Sequence, residues 1–259
     1  MTPTAHLIYF SPTGTTQKIS GSIAKGLGAK NIVHYDVTLP DVSFDTVLTD
    51  GVAVIGIPVY AGRVPELCLQ RLQAITADGV PAILVALYGN REFEDALVEL
   101  RDIAVTQGFN VIAAGAFIGE HSYSTLERPI AAGRPDTEDL KLAVEFGQRV
   151  AAKIACNVFD HPEIDGNVPY KESVQFGGVA PETDSEKCTL CGKCAAVCPT
   201  GVITVSDAVT TVADNCIMCC ACVKVCAAEA RLFRHPQIEE RRTLLLNNCS
   251  RRKAPKIFL

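Results

Sequence analysis

The chain has 259 residues, 48% of them hydrophobic, with 24 Lys and Arg against 29 Asp and Glu and a formal net charge of −5. That length holds one or two domains able to bury a core, and the charge balance leaves no basic stretch suited to nucleic acid. No apolar run approaches the roughly 18–20 residues that a membrane span needs, so membrane insertion is not expected.

Residues 1–155 alternate strand-like and helix-like segments. HLIYFS (6–11) reads as a first strand, followed by a helix with Ile19, Ile23 and Leu27 on one face. NIVHYDV (31–37), GVAVIGIPV (51–59), PAILVALYG (81–89) and NVIAAGAFIG (110–119) supply four more strands. Short apolar blocks ended by Gly or Pro suit a parallel sheet covered on both faces. The connection over 38–50 is short and rich in Pro and Asp, so its helix is expected to be stunted. Between the last two strands lies an amphipathic helix with Phe93, Leu97, Leu100 and Ala104 inward and Gly108 as its carboxyl-terminal stop. A final helix carries Leu140, Val144, Gly147, Val150 and Ile154, with Asp136 as its N-cap. Five strands alternating with helices predict an α/β fold, an open, doubly wound parallel sheet.

The rhythm stops at residue 157. The division expected is 1–156 for the α/β domain, 157–180 for a Pro-, Gly- and acid-rich connector, 181–233 for a cysteine-rich domain, and 234–259 for a helix and basic tail. The amino-terminal MTPTAHLIYF has no basic region followed by an apolar one, which predicts a cytoplasmic protein without a leader. Structural disulfides are rare in that compartment.

Ten of the twelve cysteines lie beyond residue 187, nine of them in one internal repeat: CTLCGKCAAVC (188–198) and CIMCCACVKVC (216–226). Each copy reads C-x2-C-x2-C-x3-C. Thiols three apart on a tight loop cannot form several disulfides together, and zinc ribbons use two pairs rather than two quartets. Three thiolates on one loop suit three corners of an iron–sulfur cube, with a fourth arriving from farther away. Cys220 is the extra thiol, aligned with Gly192, and is expected to be a small buried side chain. Cys68, Cys156 and Cys249 fall in no pattern and read as plain core or surface cysteines.

YFSPTGTTQKI joins the first strand to the first helix. Ser11, Thr13, Thr15 and Thr16 offer hydroxyls, Pro12 and Gly14 shape the turn, and the helix start presents free N–H groups, a site for a phosphate. Without Lys or Arg, and without the G-x-x-x-x-G-K-[ST] pattern, the loop suits a small phosphate such as that of FMN rather than a nucleoside triphosphate. Two further loops follow strands: PVYAGRVP (58–65) and YGNREFED (88–95). His121, after the fifth strand, is expected to be a solvated loop histidine on the same side.

On these motifs the first half resembles the flavodoxins, and residues 181–233 resemble a bacterial two-cluster [4Fe–4S] ferredoxin of small α+β fold. The whole resembles the flavodoxin–ferredoxin fusion proteins of anaerobic bacteria. The resemblance implies FMN held by residues 11–16, by Pro58, Val59, Tyr60, Ala61, Gly62 and Arg63, and by Tyr88, Gly89, Asn90 and Arg91. Tyr60 takes the place of the aromatic that stacks on the flavin. Gly62 permits the turn to flip from type I to type II, and Ala61 disfavours the opposite turn. The resemblance further implies that Cys188, Cys191, Cys194 and Cys226 hold one cluster and Cys216, Cys219, Cys222 and Cys198 the other. Pro199 matches the family pattern, whereas Ala227 replaces the second proline. The implied role is electron transfer between FMN and two [4Fe–4S] clusters, with a redox partner protein or a small electron acceptor outside and the oligomeric state open. A flavin reductase of a quinone or nicotinamide, its pocket lined by Tyr60, Arg63, Tyr88, Arg91 and His121, is the second expectation. A redox sensor using the basic end (Arg241, Arg242, Arg251, Arg252, Lys253 and Lys256) is the third.

Overall fold

The computed structural model describes residues 4–42, 44–174 and 177–259. Residues 1–3 of the amino-terminal stretch read for a leader, and residues 175–176 of the connector, lie outside them. The first half runs β1 (Thr4–Tyr9), α1 (Thr15–Gly26), β2 (Asn31–Asp36), β3 (Thr46–Leu48), β4 (Val52–Pro58), α2 (Glu66–Leu72), β5 (Ile75–Ala77), β6 (Pro81–Tyr88), α3 (Ala96–Thr106), β7 (Asn110–Ile118) and α4 (Thr137–Ala155). The second half runs β8 (Glu182–Thr183), α5 (Lys193–Ala196), β9 (Ile203–Val205), β10 (Val209–Thr211), α6 (Ala221–Lys224), β11 (Arg231–Leu232), α7 (Pro236–Asn248) and β12 (Lys256–Phe258).

The main sheet is ordered β12-β7-β6-β4-β1-β2. Its five long strands are parallel. Taken in chain order they stand 2-1-3-4-5, the flavodoxin-like arrangement. The first strand begins two residues earlier than the sequence predicts. The 38–50 connection holds no helix among its described residues, only β3, which pairs with β5 beside the sheet. The sixth strand corrects the five-strand expectation. β12, from the basic tail, runs antiparallel to β7 through Lys256–Ala116, Ile257–Gly115 and Phe258–Ala114.

Each sheet face has its own core. On one, Ile55, Leu84 and Ile118 pack with Cys68, Leu97 and Leu100 of α2 and α3. On the other, Leu7, Val54 and Phe117 pack with Ile19, Ile23, Phe146 and Val150 of α1 and α4. Truncating a fully buried Ile such as Ile23 to Ala costs about 2–5 kcal/mol. The two helices cross where only glycine fits: a Cβ on Gly26 would lie 2.1 Å from the Val144 carbonyl oxygen, and one on Gly147 2.2 Å from that of Ile23. Asp136 caps α4 as predicted, accepting from the N–H groups of Glu138 and Asp139 at 3.1 Å.

The connector is fastened to α3. Asp95 accepts from the N–H of Asn167 and of Lys171, each at 2.8 Å, and the Tyr170 hydroxyl reaches Asp102. The cysteine-rich segment docks on the sheet's carboxyl edge. Arg71 of α2 donates to the Pro199 carbonyl at 2.6 Å, and Lys224 of α6 to the Ser124 carbonyl at 2.9 Å. No helix among the described residues is long and apolar enough to cross a membrane.

Candidate cofactor sites

The carboxyl ends of β1, β4, β6 and β7 meet at a cavity of about 480 Å³, where doubly wound sheets place their ligands. Eleven of the sixteen residues expected at a flavin line it: Pro12, Thr13, Thr15, Thr16, Pro58, Val59, Tyr60, Ala61, Tyr88, Gly89 and Arg91. Gly14 serves the loop through its backbone, with φ of 76° at the N-cap of α1. Ser11 closes the turn: its hydroxyl accepts from the N–H of Gln17 at 3.1 Å, and its own N–H donates to Thr38 at 2.8 Å. The N–H groups of Thr15 and Thr16, first in the helix, have no partner among the described residues. The Thr13 and Thr15 hydroxyls stand 3.2 Å apart. A cradle of paired hydroxyls and free helix N–H groups fits a phosphate.

Three expected contacts are corrected. Arg63 turns away from the cavity into a two-pronged pair with Glu99, at 2.8 and 2.6 Å. Asn90 is buried and donates to the carbonyls of Cys249 and Arg251 at 2.6 and 2.9 Å, pinning the tail. Gly62 packs against Glu94, leaving no room for a side chain. The turn also differs from the expected one. Ala61 and Gly62 both have positive φ, 50° and 85°, and Tyr60 and Arg63 exchange both backbone bonds at 3.0 Å. Positive φ at both central residues marks a type I′ hairpin, neither the type I or type II turn expected nor the II′-like one that Ala61 was expected to disfavour.

His121 is not a solvated loop residue. It lines the cavity, packs against Gly89, and accepts at Nδ1 from the N–H of Tyr123 at 3.0 Å. Burial first, then the charges of Arg91, Lys224 and Arg242, hold its pKa down at about 4. The ring is neutral at pH 7. Burial likewise pushes the Tyr88 phenol up to about 12.

The remaining wall comes from segments whose part in the site the sequence did not reveal. Arg241, Leu244, Leu245, Asn248 and Cys249 of α7 and its end close one side, and Lys171 and Val174 of the connector contribute another. Ile217 and Met218, between Cys216 and Cys219, form part of the wall as well. Tyr60 spans the same boundary. Burial drives its phenol well above 10, and Cys219 and Cys220 are near enough to raise it further.

The eight repeat cysteines line two cavities, each drawing one thiol from the other copy of the repeat. Cys188, Cys191, Cys194 and Cys226 line one cavity of about 340 Å³. Cys198, Cys216, Cys219 and Cys222 line a second, narrow void of about 20 Å³. Among the described residues no group of three or more His, Cys, Asp or Glu closes to the dimensions of a single metal ion's shell. The backbones of the repeats match. Leu190 and Met218 have φ of 54° and 53°, Gly192 and Cys220 75° and 60°, and Gly201 and Glu229 66° and 50°. The turn carrying Ala227 keeps its bond, the N–H of Glu229 donating to Cys226 at 3.0 Å as that of Gly201 donates to Cys198 at 3.2 Å. Four thiols about each cavity are the donor set of a cube. Cys219 is buried, which pushes its thiol up to about 12. Cys220 touches the second void, but its Sγ turns back to the Met218 carbonyl at 3.6 Å and it packs with Val179, Phe233 and Ile238. Cys68 is a core residue, Cys156 is exposed, and Cys249 is buried beside the large cavity.

A family model described as a 4Fe-4S binding domain matches residues 181–204. No curated protein matches the sequence. Among solved structures, the flavodoxin of Streptococcus pneumonia TIGR4 is 18% identical, over 58% of this chain and 99% of its own, with a TM-score of 0.40. The Fusobacterium nucleatum flavodoxin bound to flavin mononucleotide is 18% identical, over 61% and 99%, with a TM-score of 0.39. Flavodoxin 1 of Bacillus cereus is 15% identical, over 58% and 97%, with a TM-score of 0.40. Strand order, rather than these likenesses, carries the fold. The chain is an α/β protein in which a flavodoxin-like fold is followed by a small ferredoxin-like 4Fe–4S region.

Proposed function

We propose that this chain is an electron-transfer protein that holds FMN in the large cavity and one [4Fe–4S] cluster on each cysteine quartet. The observation that carries the reading is the loop Cys216–Cys219: its end residues belong to one quartet, while Ile217 and Met218 between them wall the flavin cavity. Bound FMN would exchange electrons in pairs or singly, and the clusters singly. Thr13, Thr15 and the start of α1 would hold its phosphate, and Tyr60, Tyr88 and α7 supply the cavity wall that would receive its ring. Cys191 and Leu190 are exposed beside the first quartet, whereas the second quartet lies deeper. The port for an outside partner is therefore at the first quartet. Three cations of the basic tail are already paired within the chain: Arg252 with Asp136 at 2.7 Å, Lys253 with Glu92 at 3.3 Å, and Lys256 with Asp165.

Anaerobically purified protein is expected to hold one FMN with about eight iron and eight sulfide, as two cubes require. Photoreduction of the flavin should then reduce the clusters with no partner present, read as bleaching of their broad visible absorbance. Zinc in place of iron, or flavin and clusters that never equilibrate, would sink the reading. Rapid turnover of a small quinone or nicotinamide without a partner protein would favour the reductase instead.

A further inference from the structure

The repeat places residue 231 opposite residue 203, because Cys216 follows Cys188 by 28 positions (216 − 188). Ile203 is apolar and packs with Cys194, Cys198 and Cys222. Its counterpart is a charge, Arg231, only 3% exposed. Nη1 donates to the Thr183 hydroxyl at 2.6 Å, and Nη2 to the Thr211 hydroxyl at 3.0 Å and toward the Cys222 sulfur at 3.7 Å. Nε is buried with no acceptor. The side chain lines both thiol cavities.

No carboxylate among the described residues pairs with this guanidinium. The other buried arginines among the described residues each have one: Arg134 meets Asp139 at 2.5 Å, and Arg242 meets Glu239. Arginine stays protonated in proteins, and an uncompensated buried charge costs several kcal/mol. Two threonine hydroxyls satisfy hydrogen bonds and leave the charge unbalanced. The balancing negative charge has to come from the side where the cysteines stand.

We propose that Arg231 is the shared counter-ion of both clusters, a positioning residue that raises the reduction potential of each. The inference rests on the two-cluster reading above. Four thiolates leave each cube net negative, and an added electron makes it more so. A fixed cation between the two quartets favours that electron in either one. Its Nη2 is aimed at the sulfur of Cys222, in the second quartet. Its place in the wall beside Cys188, Cys191, Cys194 and Cys226 brings the same charge to the first. Hydrogen bonding and charge near cluster sulfurs are established levers on potential.

The test uses the anaerobic holoprotein and its Arg231→Met, Arg231→Gln and Arg231→Lys variants, with iron content measured first and midpoint potentials then read by EPR-monitored titration. Arg231→Met should keep both clusters and lower the reduction equilibrium of each about tenfold, roughly 59 mV for a one-electron couple. Arg231→Lys, which keeps the charge, should stay closer to the wild type than Arg231→Gln. Wild-type potentials in Arg231→Met with full iron would overturn the inference alone. If Arg231→Met fails to assemble, iron retained with Lys and lost with Gln supports a counter-ion, and equal behaviour of those two overturns it. A wild-type protein without two titratable clusters overturns the two-cluster reading, and this inference with it.

Discussion

Cys220 and Gly192 share a left-handed backbone, one with a side chain and one without. A non-glycine residue pays a conformational cost there of order 1 kcal/mol. Cys220→Gly should therefore leave the iron content unchanged, and Cys219→Ser should lose about half of it, since a serine oxygen is a poor ligand for iron–sulfur corners. Iron analysis and EPR of the two variants compare them directly, and equal losses would mean that the register of the quartet is off by one. His121 carries a second expectation. Its folded pKa, about 4, lies below the ordinary 6.5, so the native state favours the neutral ring. That contribution is complete above pH 6.5 and is lost as the pH falls from 6.5 toward 4. Thermal melts of His121→Gln should therefore depend less steeply on pH across this window than those of the wild type, and parallel curves would remove His121 from the acid response. The two cysteine runs were legible because spacing alone carries them, whereas the exchange of Cys198 and Cys226 between the sets was implied only by the ferredoxin resemblance. Arg63 and Asn90 were misplaced because their partners, Glu99 and the Cys249 carbonyl, are distant in sequence.

At the scale of elements, the long parallel strands and α1, α3 and α4 could be read from apolar blocks and helical periodicity. β12 could not. Three residues after RRKAP carry no alternation, and their strand exists only because the β7 edge offers a ladder. α7 was legible as a helix but not as a wall, since the apolar face that meets the cavity is a tertiary fact. An exposed β7 edge is a liability that β12 removes. Deleting residues 256–259 takes away buried Phe258 and should cost about 3–5 kcal/mol, the range for losing a buried aromatic. Denaturant melts measure that loss. FMN retention on gel filtration should fall too, because the carboxyl end of α7 is then held only by the Asn90 bonds and the Arg252 and Lys253 pairs. Unchanged melts and unchanged flavin would reduce β12 to decoration.

At the scale of the whole molecule, the chain leaves the sheet after β7, builds α4, the connector and the iron–sulfur region, and returns to the same sheet at β12. The quartets are thus carried on an insertion whose two ends are both anchored, Asp95 gripping the outgoing strand and Asn90 the returning one. The sequence suggested two beads on a connector, because the tail gave no sign of coming back. A bead hung from one string can swing, and one clamped at both ends cannot. On the proposed function, the gap between flavin and nearer cluster is then a property of topology, not of a docking equilibrium that must be re-established for every electron. Electron flow across it should be indifferent to friction: raising solvent viscosity several-fold with glycerol should leave the internal transfer rate unchanged, while exchange with an outside partner slows in proportion.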